Sequence, residues 1–401
     1  MKSKKEIINE LKNVKLVIGN GFDLYCGLKT SYSDYFNNDS SKNKVLEDWY
    51  NRFLHNVQTY LQFSLDEASK SDYWNRLDAF EFANIWDFFF HVVSRNNESI
   101  DTWRWCDIES KILEWLYNSS DKNHSNSKAN FKGIYEIIKH KRANSNHDLH
   151  MCYLATIIHK KHNEKDFLDE TEFYNFLLQE LKKFECHFGE YIDKLQFNSP
   201  YERFGVITKN DAYFEKALCT INELCNVSNL TSIDTFNYGI PCINELKNIV
   251  HNINENVKNP IFGVDSNAFM APNSRYIFTK TNRRMELDML NDNNSEIKPC
   301  DNVVIFGSSL GVADYSYFFS IFDKINITDI EKPAKVIFAF SIYDKAKENA
   351  IKMNLTKAIF ELFQEYSRYK GNESHQNRLL DVLTTQGKII LYQIGDQKIN
   401  S

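Results

Sequence analysis

The chain is short of the residues that interrupt regular structure: 6 Pro and 13 Gly stand among its 401 residues. So few breakers predict long helices over much of its length. Cysteine offers no framework either. The eight cysteines (26, 106, 152, 186, 219, 225, 242 and 300) include no CxxC pair, and Cys186-His187 alone makes no zinc site, so no metal is expected. Met1-Lys-Ser-Lys-Lys-Glu-Ile-Ile-Asn-Glu-Leu11 has no apolar leader, and reduced thiols in a cytoplasmic protein are the expectation. Positive charge is lacking too. A net charge of −6 without a basic block argues against DNA or RNA as the main partner. No uncharged run approaches the roughly 18 residues of a membrane span, so no membrane association is expected. What the chain has in quantity is apolar and aromatic: 42% hydrophobic residues, with 30 Phe and 21 Tyr. That suffices for two or three domains, or for one α/β core carrying a large insertion.

The stretch Lys15-Leu-Val-Ile-Gly19-Asn-Gly21-Phe-Asp23-Leu24 organises the reading. An apolar strand runs straight into Gly-Asn-Gly. Glycine lacks a Cβ and lets a ligand approach the backbone closely, and a following helix would offer N–H groups to an anion such as a nucleotide phosphate. The dinucleotide fingerprint is incomplete. Its third glycine falls on Leu24, and the acidic residue about twenty positions on falls on Asp39, in the loop-like Asn37-Asn-Asp-Ser-Ser41. A tight strand-to-helix turn with Asp23 as N-cap explains the same residues without a ligand.

Downstream, Thr30-Ser31-Tyr-Ser33-Asp34 has the spacing of a helix start, its hydroxyls alternatively facing whatever Gly19–Gly21 hold. Helical patterning then continues to about residue 200, interrupted by a polar, low-complexity stretch over 118–130. Glu109 and Asp107 open one of these helices and read as solvated acids complementing its dipole, the alternative being that they face a pocket. In the second half, strands are expected at 232–236, 248–253, 260–264, 302–306, 335–340 and 388–394, with helices at 211–226, 313–325 and 344–368. The fold class expected is α/β, a mainly parallel Rossmann-like sheet with a large α-helical insertion. Residues 1–39 supply the first strand and its turn, 40–200 the insertion, and 201–401 the rest of the core.

Ligands of open parallel sheets bind outside the carboxyl ends of the strands. Those ends carry Gly19-Asn20-Gly21-Phe22-Asp23, Thr235-Phe236-Asn237-Tyr238, His251-Asn252-Ile253-Asn254, Gly263-Val-Asp265 and Gly307-Ser308-Ser309-Leu310-Gly311. Amides, hydroxyls and glycines without a metal cluster suit a ribose-phosphate ligand. Gly19-Asn-Gly-Phe-Asp23 with Thr30-Ser-Tyr-Ser-Asp34 resembles the opening of the AbiH family of phage abortive-infection proteins. Trp105-Cys-Asp-Ile-Glu109, Phe184-Glu185, Phe236-Asn237-Tyr238, Ile261-Phe-Gly-Val-Asp265 and Gly307-Ser-Ser-Leu310 with Asp314 resemble its later motifs in the same order. The order of strand-end segments is also similar to that of sirtuin-like NAD-binding domains. That likeness implies NAD as substrate or ligand, with Gly19, Asn20 and Gly21 at the pyrophosphate, Asn237 at the nicotinamide ribose, Ser308 and Ser309 toward the adenosine, and Phe22 and Asp314 among the residues expected to bind it. A His-Gly segment is expected there, yet the chain has Val250-His251-Asn252-Ile253-Asn254. Either His251 is the base in a shifted register, or Asn254 replaces it and the base is lost. Asp23 is then a carboxylate placed to assist an oxocarbenium-like centre.

Two rivals stand beside this reading. Gly307-Ser308-Ser309-Leu310-Gly311 fits a nucleophile elbow, with Asp344 and His375 completing Ser309 as a serine hydrolase. The other is a non-catalytic nucleotide-sensing module. Partners beyond the nucleotide are open, a homo-oligomer and an unknown phage trigger among them.

Overall fold

The computed structural model describes residues 3–57, 63–70, 83–95, 105–116, 130–143, 149–198, 208–209, 211–237, 249–252, 261–265, 273–288, 299–371 and 378–395. Two compact units divide the chain. A sheet unit comprises Met1–Thr30, Gly189–Pro260 and Asp292–Ser401, and a helical unit comprises Ser31–Phe188 and Ile261–Asn291.

In the sheet unit the strands are β1 (Val14–Ile18), β2 (Leu230–Thr235), β3 (Val250–Asn252), β4 (Asn302–Phe306), β5 (Lys335–Ser341) and β6 (Ile389–Ile394). They lie in the order β3-β2-β1-β4-β5-β6, every pair parallel. This is the order of a doubly wound nucleotide-binding sheet, whose direction of winding switches between β1 and β4. The expected α/β, Rossmann-like class is therefore what the chain forms. Its helices are α1 (Lys4–Glu10), α2 (Asn20–Cys26), α3 (Asp211–Leu224), α4 (Tyr315–Lys324), α5 (Glu348–Tyr369) and α6 (Leu379–Thr385).

Side chains alternate across a strand, so β1 serves two cores. Val14, Leu16 and Ile18 pack with Phe22, Phe306 and the Tyr213, Ala217 and Ile221 stripe of α3. Val17 faces the opposite way, with Val303, Phe318 of α4 and Phe363 of α5. Lys15 shares Val17's side and is buried. Its Nζ lies 2.6 Å from Asp234 Oδ2 on β2, and the Tyr317 hydroxyl of α4 donates to the same oxygen. A buried ammonium is tolerated only when paired in this way.

The helical unit is dominated by aromatic packing. Ile85–Arg95 and Leu149–Lys161 are its inner helices, the second buried continuously from Met151 to His159. Apolar residues on every side of a helix leave no face for water, and such a helix must be enclosed. Ser31 and Asp34 form the predicted capping box at the start of Tyr32–Asn38. The strand expected at 260–264 is corrected: Ile261–Asp265 joins no sheet, belongs to the helical unit, and makes a single bridge, Val264 to Thr279. Among the described residues no helix is long and apolar enough to cross a membrane.

Candidate functional site

β1 ends at Gly19, which caps α2 with extended backbone; Asp23 lies inside that helix's first turn and is not the N-cap. Gly19 N–H donates to Phe306 O at 3.0 Å, and Gly21 N–H to Gly307 O at 2.8 Å. β4 leaves through Gly307 at φ 73°, in the left-handed region. A Cβ on Gly307 would stand 2.3 Å from Phe22 N, and one on Gly19 would stand 2.6 Å from Gly307 O. The glycines of both motifs thus let two strand-end turns pack backbone against backbone across the switch point. Their close approach is to each other.

Other residues of the reading fall into distinct places. Phe22 is buried in the core, edge-on to Phe306. Asn20 Oδ1 accepts the Thr30 hydroxyl at 2.6 Å, so that hydroxyl does reach the glycine turn. Ser308 Oγ accepts Leu310 N–H at 3.1 Å, and Ser309 is exposed. Asp314 closes the 3-10 turn that leads into α4, its N–H donating to Gly311 O at 2.9 Å. His251 stands on β3 in register with Asp234, one strand beyond β2. Tyr238, Asn254 and His375 lie outside the described residues. Among the described residues, the backbone N–H groups of Asn20, Ser308 and Ser309 meet no backbone acceptor. These three donors flank the switch point, from the turns after β1 and β4.

Beside them the structure brings Asp23 and Asn237 together. Both are buried, at 2% and 3% exposure. Asp23 Oδ1 accepts the Tyr213 hydroxyl at 2.7 Å, and the buried Asn237 amide lies beside the same carboxyl. Burial raises the Asp23 pKa to about 7, and the Tyr213 hydroxyl and the neighbouring Asn237 amide only partly oppose it. Such a group takes and gives a proton near neutrality. Asn237 is itself set by its backbone: Phe236 N–H donates to Ile18 O at 2.9 Å, and Asn237 N–H to Thr235 Oγ1 at 3.0 Å. Nothing in the sequence marks Tyr213 as functional. Its only signal is the 213, 217, 221 spacing of α3, where it reads as one more core aromatic.

The remaining motifs gather elsewhere. In the helical unit, Glu109 accepts Gly263 N–H at 3.3 Å and faces Lys280 at 3.0 Å. Glu185 accepts Phe262 N–H at 2.7 Å and pairs with Arg283 at 2.7 Å. Glu109 is therefore a buried ion-pair member, which corrects its reading as a solvated helix start. In the elbow-like turn, the left-handed residues are Gly307 and Leu310, and Ser309 is not among them. Asp344 accepts Ala346 N–H, capping its own turn. The strain that presents a nucleophile is thus absent from Ser309.

Compared with known proteins, residues 16–334 match the family model described as Bacteriophage abortive infection AbiH. No curated protein and no solved structure matches the chain.

Proposed function

The chain belongs to the AbiH family of bacteriophage abortive infection proteins, and from that premise we propose that it acts in phage defence by binding, and cleaving, NAD or a related nucleotide at the carboxyl ends of β1, β2 and β4. One observation carries the reading: the N–H groups of Asn20, Ser308 and Ser309 lie on the two turns that meet at the switch point of a 3-2-1-4-5-6 sheet. Switch points are where such sheets take nucleotides, and backbone N–H groups left open on adjoining turns suit a pyrophosphate. The order of strand-end segments, similar to sirtuin-like domains, favours NAD among nucleotides.

In this reading Asn237 and Asp23 lie nearest the chemistry, at the ribose. Breaking a glycosidic C–N bond builds positive charge at the sugar carbon, which a neighbouring carboxylate stabilises. His251, on the next strand, is the candidate base. Chromatography of NAD incubated with the purified protein tests this. Nicotinamide release by wild type, lost in Asn237→Ala and His251→Ala, is the expected result. Intact NAD under all conditions, including phage infection lysate, would contradict cleavage.

The burial of Asp23 and Asn237 favours a second reading, a sensing module that binds the nucleotide without turning it over. Saturable binding with unchanged nucleotide distinguishes it.

A further inference from the structure

Asp23 differs from four other buried carboxylates among the described residues. Asp87, Asp234, Glu109 and Glu185 each face a lysine or arginine at 2.5, 2.6, 3.0 and 2.7 Å respectively. Among the described residues, no cation forms an ion pair with Asp23. Its hydrogen-bond partner is neutral and comes from another element, Tyr213 on α3, and the amide beside it, Asn237 beyond the end of β2, is neutral too. A phenol has one proton to give, and Tyr213 gives it to Oδ1 at 2.7 Å. The dissociable proton of the carboxyl is therefore directed to Oδ2.

We propose that Tyr213 is a positioning residue, which fixes Asp23 through Oδ1 so that Oδ2 exchanges a proton with a hydroxyl of the ligand held at these strand ends, a ribose hydroxyl being the chemical class. The ligand class rests on the nucleotide reading above; the hold of Tyr213 on Asp23 does not. In the exchange the ligand's O–H bond breaks and an Oδ2–H bond forms. The electron pair stays on the ligand oxygen, and the reverse step returns the proton. Among the described residues, few other groups face the carboxyl. Cys26, on the same helix, is pushed up to about 12 by burial and stays protonated. Lys216 of α3 lies over the Tyr25 ring, 4.7 Å from its centroid. The elevation of Asp23 to about 7 supplies a group able to exchange at neutral pH.

The test is carboxyl-carbon NMR of the full-length, ligand-free protein labelled at aspartate, with Asp23→Asn giving the assignment. Wild type should titrate near neutrality. Tyr213→Phe, which keeps the ring and loses the donor, should move the midpoint up by about half a unit or more. Should that variant fail to fold, 3-fluorotyrosine at position 213 is a stronger donor and should move the midpoint down. The pH profile of NAD cleavage or binding should follow in the same direction. An Asp23 that titrates in the ordinary carboxylate range, or a midpoint indifferent to Tyr213, overturns the positioning role. A midpoint that moves in a protein with no affinity for NAD overturns the ligand class alone.

Discussion

A single methyl group probes the contact between the two strand-end turns. Gly307→Ala sets a Cβ 2.3 Å from Phe22 N at a residue whose φ is 73°, so both sterics and conformation oppose it. The expected loss is about 3 kcal/mol or more, read as a fall in Tm. Gly27→Ala is the control, because φ is 99° there but nothing lies within 4 Å. It should cost only the left-handed strain, about 1 kcal/mol. Asp23 yields a pH prediction. Its folded carboxyl keeps the proton up to about 7, whereas the ordinary value is 3.8. Between those values the folded state binds more protons than the unfolded one. Its contribution is complete below about 3.8 and is lost as pH rises through about 7, a change on the order of 4 kcal/mol. Urea unfolding at pH 5 and pH 8 should show wild type weaker at pH 8, and Asp23→Asn should flatten that difference. Gly19, Asn20, Asp23 and Asn237 were legible as candidates because each sits where an apolar run ends. Tyr213 was not, because nothing in a helical stripe marks which aromatic turns its hydroxyl toward a carboxyl on another element.

At the level of the element, β1 and β2 are joined by more than backbone. Lys15 and Asp234 place opposite charges on the same buried side of adjacent strands, and the pair is closed by Tyr317. Lys15→Met leaves Asp234 a buried, uncompensated charge and should cost about 3–5 kcal/mol in guanidinium unfolding. Lys15→Met with Asp234→Leu removes both charges and should recover most of that loss. Equal loss in the single and double variants would show that the ion pair itself stabilises the sheet. Strand β4 was read over its full length, 302–306, because an apolar run buried on both sides reads the same from either face. Ile261–Asp265 is also a short, mainly apolar run and went elsewhere. The N–H groups of Phe262 and Gly263 go to the carboxylates of Glu185 and Glu109 and that of Val264 to Phe278 O, none of them to a strand of the sheet, and apolar content alone does not record that difference.

The whole molecule is assembled from segments far apart in the chain. Glu109, Glu185, Phe262, Lys280 and Arg283 meet in the helical unit through two buried ion pairs. Arg283→Met strands the Glu185 carboxylate and should cost about 3–5 kcal/mol. Hydrogen exchange should show Ile85–Arg95 losing protection before β1 and β4; a uniform loss would mean that the two units unfold as one. The parallel sheet and the helical block were legible from periodicity. The return of Ile261–Asn291 to the helical unit was not, since it depends on charges that pair only after folding. For the account as a whole, the most direct measurement is calorimetric titration of NAD into wild type and Asn237→Ala. The account predicts saturable binding by wild type. It predicts a loss of tenfold or more in the variant, about 1.4 kcal/mol, at a temperature where both proteins are folded. No binding by wild type, or equal binding by both, would contradict it.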